Sequence, residues 1–257
     1  MQQLVVLFSH TLSCLRYAAF DLGAADSRLQ VGYRTITFVK WLVLAEVLPL
    51  VEAVLFTDDD VTLLDNPFAS FEPTQYEFRH QAEEGRGCEA RPNGGLLYVR
   101  NTAPVLDMLA RMLSKRSDIE SNANRLDQDY VLGAATAAGV TRCAFPTERF
   151  AGHCPRAQRP WTPVGALVTY HAHCCGRRDD KAALAERMAI AVATRPELRF
   201  ADVDRQPLPS TGKFEDSCSY GGAARGSFVR LCVHSVLWLC SMLLCFGACL
   251  WHRRQKS

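Results

Sequence analysis

The sequence predicts an α/β fold with a mostly parallel sheet flanked by helices. Short apolar runs of strand length alternate with longer segments of helical periodicity. One of those runs, Val54-Leu55-Phe56-Thr57, stops abruptly in three carboxylates, Asp58-Asp59-Asp60. A buried strand ending in acids delivers them to the sheet edge where α/β proteins bind ligands.

The elements follow in order. Residues 4–8 read as a strand and 12–22 as a helix. Residues 35–48 carry a helical apolar pattern (Ile36, Val39, Leu42, Val43, Val47) that stops at Pro49. The acidic strand 54–57 comes next, and 67–92 reads as irregular, polar and Gly-containing. Residues 95–99 form a second apolar strand, introduced by Asn93-Gly94. Residues 104–117 form a helix with Pro104 in its first turn. Residues 127–138 form another, with acids at its start and Gly139 at its end. Short strands at 141–145 and 166–170 precede a helix over 181–193. The Gly/Pro/Ser/Asp-rich stretch 196–230 reads as a linker. The expected organisation is a domain over 1–195, this linker, an apolar segment over 231–251 and a basic tail over 252–257.

A chain of 257 residues can bury a sizeable core. Its net charge of +2, with no basic patch interleaved with aromatics, argues against a nucleic-acid partner. Residues 231–251 are apolar except for His234, Ser235, Ser241 and Gly247, which is long enough to span a hydrocarbon core of ~30 Å. Trp251 then sits at the interface, and Arg253, Arg254 and Lys256 place the tail in the cytoplasm and the bulk of the chain in a lumen. No signal peptide is expected from the N-terminal residues, since Met1-Gln2-Gln3 offers no positive n-region and the apolar run 4–8 is short for an h-region. There are 11 cysteines, four of them in the apolar segment; the other seven can form a few disulfides in an oxidising lumen.

The three carboxylates repel one another and call for a compensating positive charge, for which a hard divalent cation is the natural candidate. An EF-hand loop starting at Asp58 fails, because its sixth position is Leu63 and its twelfth Ala69. Asp58, Asp60 and Thr62 match the Asp-x-Asp-x-Thr of a haloacid-dehalogenase-type phosphatase, with Asp58 as nucleophile. They equally match the Asp-x-Asp of a metal-dependent glycosyltransferase, and a solvated acidic turn is the plainest alternative. His153, Cys154, His171, His173, Cys174 and Cys175 could make a zinc site, although their spacing is not a standard one.

The downstream residues discriminate. Asp58-Asp59-Asp60-Val61-Thr62-Leu63-Leu64-Asp65-Asn66-Pro67-Phe68 resembles the signature of the nucleotide-diphospho-sugar transferase family. Asn93-Gly94-Gly95 with Arg100-Asn101-Thr102, Leu126-Asp127-Gln128-Asp129, and Tyr170-His171-Ala172-His173 followed by Gly176 and Lys181 resemble its later motifs; upstream, Thr37 and Lys40 match a helix in which the family keeps a lysine. The phosphatase reading explains none of the motifs after the first.

The resemblance implies a GT-A-like (Rossmann-like) fold, here expected to lack its first strand-helix unit. It implies transfer of a sugar from a nucleotide-diphosphate donor, a UDP-sugar first among them, to a glycan or glycoprotein acceptor, with retention at the anomeric carbon. It implies Mn²⁺ (or Mg²⁺) held by Asp58, Asp60 and His171; His173 stands where the family has Asn. It places Asn93 and Gly95 at the sugar, Asp127 on its hydroxyls, Gln128 near the anomeric carbon, and Lys40 and Lys181 at phosphate oxygens. It also implies a Golgi or endomembrane location with the catalytic domain in the lumen. A catalytically inactive membrane-anchored binding module remains the alternative outside enzymology.

Overall fold

The computed structural model describes residues 4–8, 31–122, 124–153, 162–173, 178–204 and 206. The expected helix at 12–22, the segment 231–251, the basic tail and Cys154, Cys174 and Cys175 lie outside the described residues. Among the described residues no helix is long and apolar enough to cross a membrane.

The chain runs β1 (Leu4–Phe8), α1 (Val31–Val47), β2 (Ala53–Thr57), β3 (Val61–Leu63), β4 (Phe78–Glu84), β5 (Arg91–Arg100), α2 (Ala103–Ser114), α3 (Arg116–Ser121), α4 (Gln128–Ala137), β6 (Arg142–Ala144), β7 (Phe150–Gly152), β8 (Thr169–His171), α5 (Arg178–Thr194) and α6 (Phe200–Asp204). Five strands form one sheet in the order β1-β2-β5-β4-β6, and three form a smaller sheet in the order β3-β8-β7.

Both sheets are mixed, which corrects the expectation of a mostly parallel one. β1 and β2 are parallel, as are β4 and β6, but β5 runs antiparallel to both of its neighbours. The cause is a short return. Only residues 85–90 separate β4 from β5, and Gly85 (φ 80°) and Gly87 (φ 65°) supply the left-handed backbone that turns the chain back. The sequence expectation missed β4 altogether, reading it as irregular. Its residues Phe-Arg-His-Gln-Ala-Glu-Glu carry polar side chains at buried positions, so no apolar alternation marks the strand.

β2 is buried along its whole length because both of its faces are covered. Val54 and Phe56 point into a core with Phe38, Trp41 and Leu44 of α1, Met108 and Met112 of α2, and Val131 of α4. Ala53 and Leu55 join Val61, Leu96, Tyr98, Phe145, Phe150 and Val168, which tie the large sheet to the small one. The small sheet packs in turn on α5 and α6 through Tyr170, Leu184, Met188, Phe200 and Val203. Ordered structure thus reaches Asp204, inside the stretch read as linker, because Phe200 and Val203 bury their side chains there.

Other boundaries shift for local reasons. The helix expected over 104–117 ends at Ser114, and α3 begins after Lys115. α4 stops where Gly139 takes φ 71°, and the amides of Gly139 and Val140 return to the Thr136 and Ala135 carbonyls. Asn93 and Gly94, read as a turn introducing a strand, lie within β5.

Candidate functional site

The turn leaving β2 stitches the two sheets together. The Asp58 amide donates to the Gly95 carbonyl at 2.7 Å, extending the large sheet by one residue. Two residues later the Ala172 amide donates to the Asp60 carbonyl at 2.9 Å, just beyond β8. β3 pairs antiparallel with β8, and Val61 stands opposite His171. This register brings His171 to Asp60 across 111 residues of sequence. One ligand atom each from Asp58, Asp60 and His171 lies within 4.8 Å of the others. Asp59, between the two acids, is exposed.

His171 Nε2 lies 2.8 Å from Asp60 Oδ1, and Lys181 Nζ donates to Asp60 Oδ2 at 2.6 Å. On the ring's other side, His171 Nδ1 meets Gln81 Oε1 at 2.6 Å. An amide oxygen only accepts, so Nδ1 carries the proton, and in the neutral ring Nε2 presents a lone pair to Asp60. Asp60 Oδ1 is buried without a hydrogen-bond partner among the described residues. A lone pair facing a carboxylate oxygen, with a second carboxylate alongside, is the donor set of a divalent cation, so these residues fit the metal that the motif calls for.

The electrostatics separate the two acids. Burial pushes the Asp58 carboxyl up to about 6 against the opposing pull of the Lys40 ammonium, with the Asp60 charge adding to the rise. Burial acts on Asp60 in the same direction, but a protonated His171 ring and the Lys181 ammonium overcome it and hold the carboxyl far below the usual carboxylate range; the lone pair is what the neutral ring offers to a cation.

Next to the acids, the start of β5 is built for close approach. A Cβ on Gly95 would collide with the His171 ring, so only glycine fits. Asn93 Oδ1 accepts from the Gly95 amide at 2.8 Å, and its Nδ2 donates to Glu83 Oε2 at 2.5 Å. The Gly94 amide donates to Gln128 Oε1 at 3.2 Å, while its carbonyl accepts from Lys40 Nζ at 3.0 Å. Lys40 and Asp127, 7% and 2% exposed, form an ion pair at 3.0 Å, and Trp41 Nε1 also donates to Asp127 Oδ2, at 2.8 Å. All nine residues singled out in the sequence therefore gather around the ends of β2, β5 and β8. Two of the expected phosphate or sugar contacts, Lys40 and Asp127, are paired with each other.

The zinc alternative receives no support among the described residues. His153 Nδ1 lies 2.9 Å from Asp204 Oδ1, which also accepts from Tyr170 Oη at 2.7 Å. His173 Nδ1 donates to the His171 carbonyl at 3.0 Å, its Nε2 is buried 3.9 Å from Glu83 Oε2 with no hydrogen-bond partner among the described residues, and burial holds the ring well below the usual histidine range. Asp58, Asp60 and His171 are the only three-residue metal-ligating group among the described residues.

Sequence reasoning missed Gln81 and Glu83. Both come from β4, where no apolar signal announced a strand.

The family model for nucleotide-diphospho-sugar transferases matches residues 9–184, more than half of the chain and all nine of these residues. Among solved structures, a glycosyltransferase involved in the glycosylation of the major capsid of PBCV-1 is similar at a TM-score of 0.47 and 15% identity, over 73% of this chain and 98% of that one. No curated protein matches the chain.

Proposed function

Because the chain belongs to the nucleotide-diphospho-sugar transferase family, we propose that it transfers a sugar from a nucleotide-diphosphate donor, a UDP-sugar first, to a glycan or glycoprotein acceptor with retention. The observation that carries this reading is the Asp58, Asp60 and His171 group, gathered within 4.8 Å at the end of the central strand. These three residues would hold the cation. An imidazole beside two carboxylates suits Mn²⁺ better than Mg²⁺, which prefers oxygen ligands. When bound, the ion neutralises charge on the departing diphosphate.

The protein's own groups supply the rest. Lys181 keeps Asp60 ionised and fixed in orientation, and its ammonium would add positive charge for phosphate oxygens. Lys40, shared between Asp127 and the Gly94 carbonyl, adds positive charge behind Asp58. Asn93 and Gly95, expected at the sugar, instead seat the His171 ring, which fills the space a Cβ on Gly95 would take. Asp127, buried against Lys40 and Trp41, would hold Lys40 in place rather than reach sugar hydroxyls, with Gln128 near the anomeric carbon. Fixed dipoles and charges of this kind act on the charge that develops as the glycosidic bond breaks.

A lumenal, endomembrane location with residues 231–251 as anchor belongs to the same proposal. The Cys88–Cys143 pairing is compatible with an oxidising compartment.

The test is metal-dependent turnover of a UDP-sugar panel by the full chain and by Asp60→Ala. Loss of at least 100-fold in the variant is expected, and turnover that survives it defeats the metal assignment. Phosphate release from simple phosphomonoesters, lost in Asp58→Asn, would favour the phosphatase. No nucleotide binding at all would favour an inactive module.

A further inference from the structure

We propose that Gln81 is a positioning residue for the cation site, selecting the nitrogen and the tautomer with which His171 faces Asp58 and Asp60. This deepens the metal reading above and rests on it.

Gln81 is 1% exposed, and both ends of its amide are engaged. Its Nε2 donates to the Ala151 carbonyl at 2.9 Å, and a carbonyl only accepts. That bond settles which end of the amide is which, and turns Oε1 toward His171 Nδ1 at 2.6 Å. With Nδ1–H committed to Gln81, the neutral ring keeps its lone pair on Nε2, pointing at Asp60 Oδ1. Without Gln81 the competing arrangement is the opposite tautomer. Nε2–H would donate to Asp60 Oδ1 across the same 2.8 Å, and one hydrogen bond would remove two cation ligands together. A neutral amide also does this without adding another negative charge beside Asp58, Asp59 and Asp60.

The strand is deformed to deliver it. Pairing jumps from His80↔Leu97 to Gln81↔Asn93, so one step along β4 matches four along β5, and a second shift follows between Ala82 and Glu84. Such irregularities re-aim side chains beside functional sites. Here the extra residues on β5 include Gly94 and Gly95. Gly95 is the residue whose missing Cβ makes room for the His171 ring. One irregularity thus both clears the space for the imidazole and turns Gln81 toward it.

The experiment titrates the full chain with MnCl₂, following free Mn²⁺ by electron paramagnetic resonance, for wild type, Gln81→Met and Gln81→Glu. Melting of the metal-free proteins is recorded alongside. Gln81→Met fills nearly the same volume but accepts no hydrogen bond, and should weaken Mn²⁺ binding by roughly 10–100-fold, the usual cost of losing an outer partner of a ligating histidine. Gln81→Glu keeps an acceptor for Nδ1 and loses the donor to Ala151, and should retain wild-type affinity or better. If Gln81→Met does not fold, Gln81→Asn, which draws the acceptor back by one methylene, takes its place with the same expected loss. Two results overturn the proposal: Gln81→Met binding Mn²⁺ within threefold of wild type, or Gln81→Glu losing as much as Gln81→Met. If wild type takes up no Mn²⁺, the metal reading fails and this proposal with it. Wild-type binding with an undiminished variant sinks the proposal alone.

Discussion

Replacing Lys40 with Met should be among the most damaging single changes in the molecule, and the structure gives its size. Lys40 and Asp127 are almost completely removed from water, and among the described residues Asp127 Oδ2 receives Lys40 Nζ at 3.0 Å and Trp41 Nε1 at 2.8 Å. Met keeps most of the stem's volume but leaves a buried carboxylate without its counter-ion. Breaking a buried pair in this way costs about 3–5 kcal/mol, because the remaining charge is uncompensated. The Gly94 carbonyl loses its partner as well. At an m-value of about 2–3 kcal/mol/M, a loss near 4 kcal/mol lowers the urea midpoint by roughly 1.3–2 M. The assay is urea denaturation of wild type, Lys40→Met, Asp127→Asn and the double variant. In the double variant Asn still accepts from Trp41 and no charge is stranded, so it should recover to within about 1–2 kcal/mol of wild type. A cost below about 1 kcal/mol for Lys40→Met would refute the reasoning. So would a double variant no more stable than Lys40→Met alone.

Four further predictions concern the site and its frame. Because Asp58 is raised to about 6 in the fold, against about 4 when unfolded, the metal-free native state binds more protons than the unfolded state between those values. Stability contributed by that proton is present below pH ~4 and lost as pH rises through about 6. His80, lowered to about 4, and His173, held well below the usual histidine range, contribute the opposite slope, so the readout is a difference: in urea denaturation in EDTA, Asp58→Asn should gain stability relative to wild type as pH rises through this window, and an unchanged slope in the variant would contradict the assignment. Gly95→Ala should cost about 1–3 kcal/mol and weaken Mn²⁺ binding, since its Cβ would displace His171. Gly133→Ala, in open space on α4, should instead stabilise by roughly 0.5–1 kcal/mol in thermal melts. Reducing the Cys88–Cys143 bridge, which spans 55 residues, should cost about 4 kcal/mol by loop entropy; a urea midpoint indifferent to dithiothreitol would argue against the bridge.

Local features were legible in the chain alone. An unbroken apolar run ending in acids must be a buried strand that stops at a sheet edge, and the order of the Asp-x-Asp, Asn-x-Gly, Asp-Gln and His-x-His motifs was enough to place the chain in its family. Those signals are short-range: each lies in the chemistry of a few neighbouring residues. Tertiary structure decided what depends on register and return direction. The β4–β5 hairpin set β5 antiparallel, and polar Gln81 and Glu83 became strand residues only because neighbouring strands bury them. The pairing of Val61 with His171 brought a histidine 111 residues downstream to Asp60. Lys40 and Asp127 looked like two independent ligand contacts in the sequence, and folding made them one buried ion pair. Periodicity along a chain reports which face a residue turns to the core. It carries no term for which distant polar group will meet it there, and in this site those meetings set the charge of Asp58, the ionisation of Asp60 and the nitrogen that His171 presents.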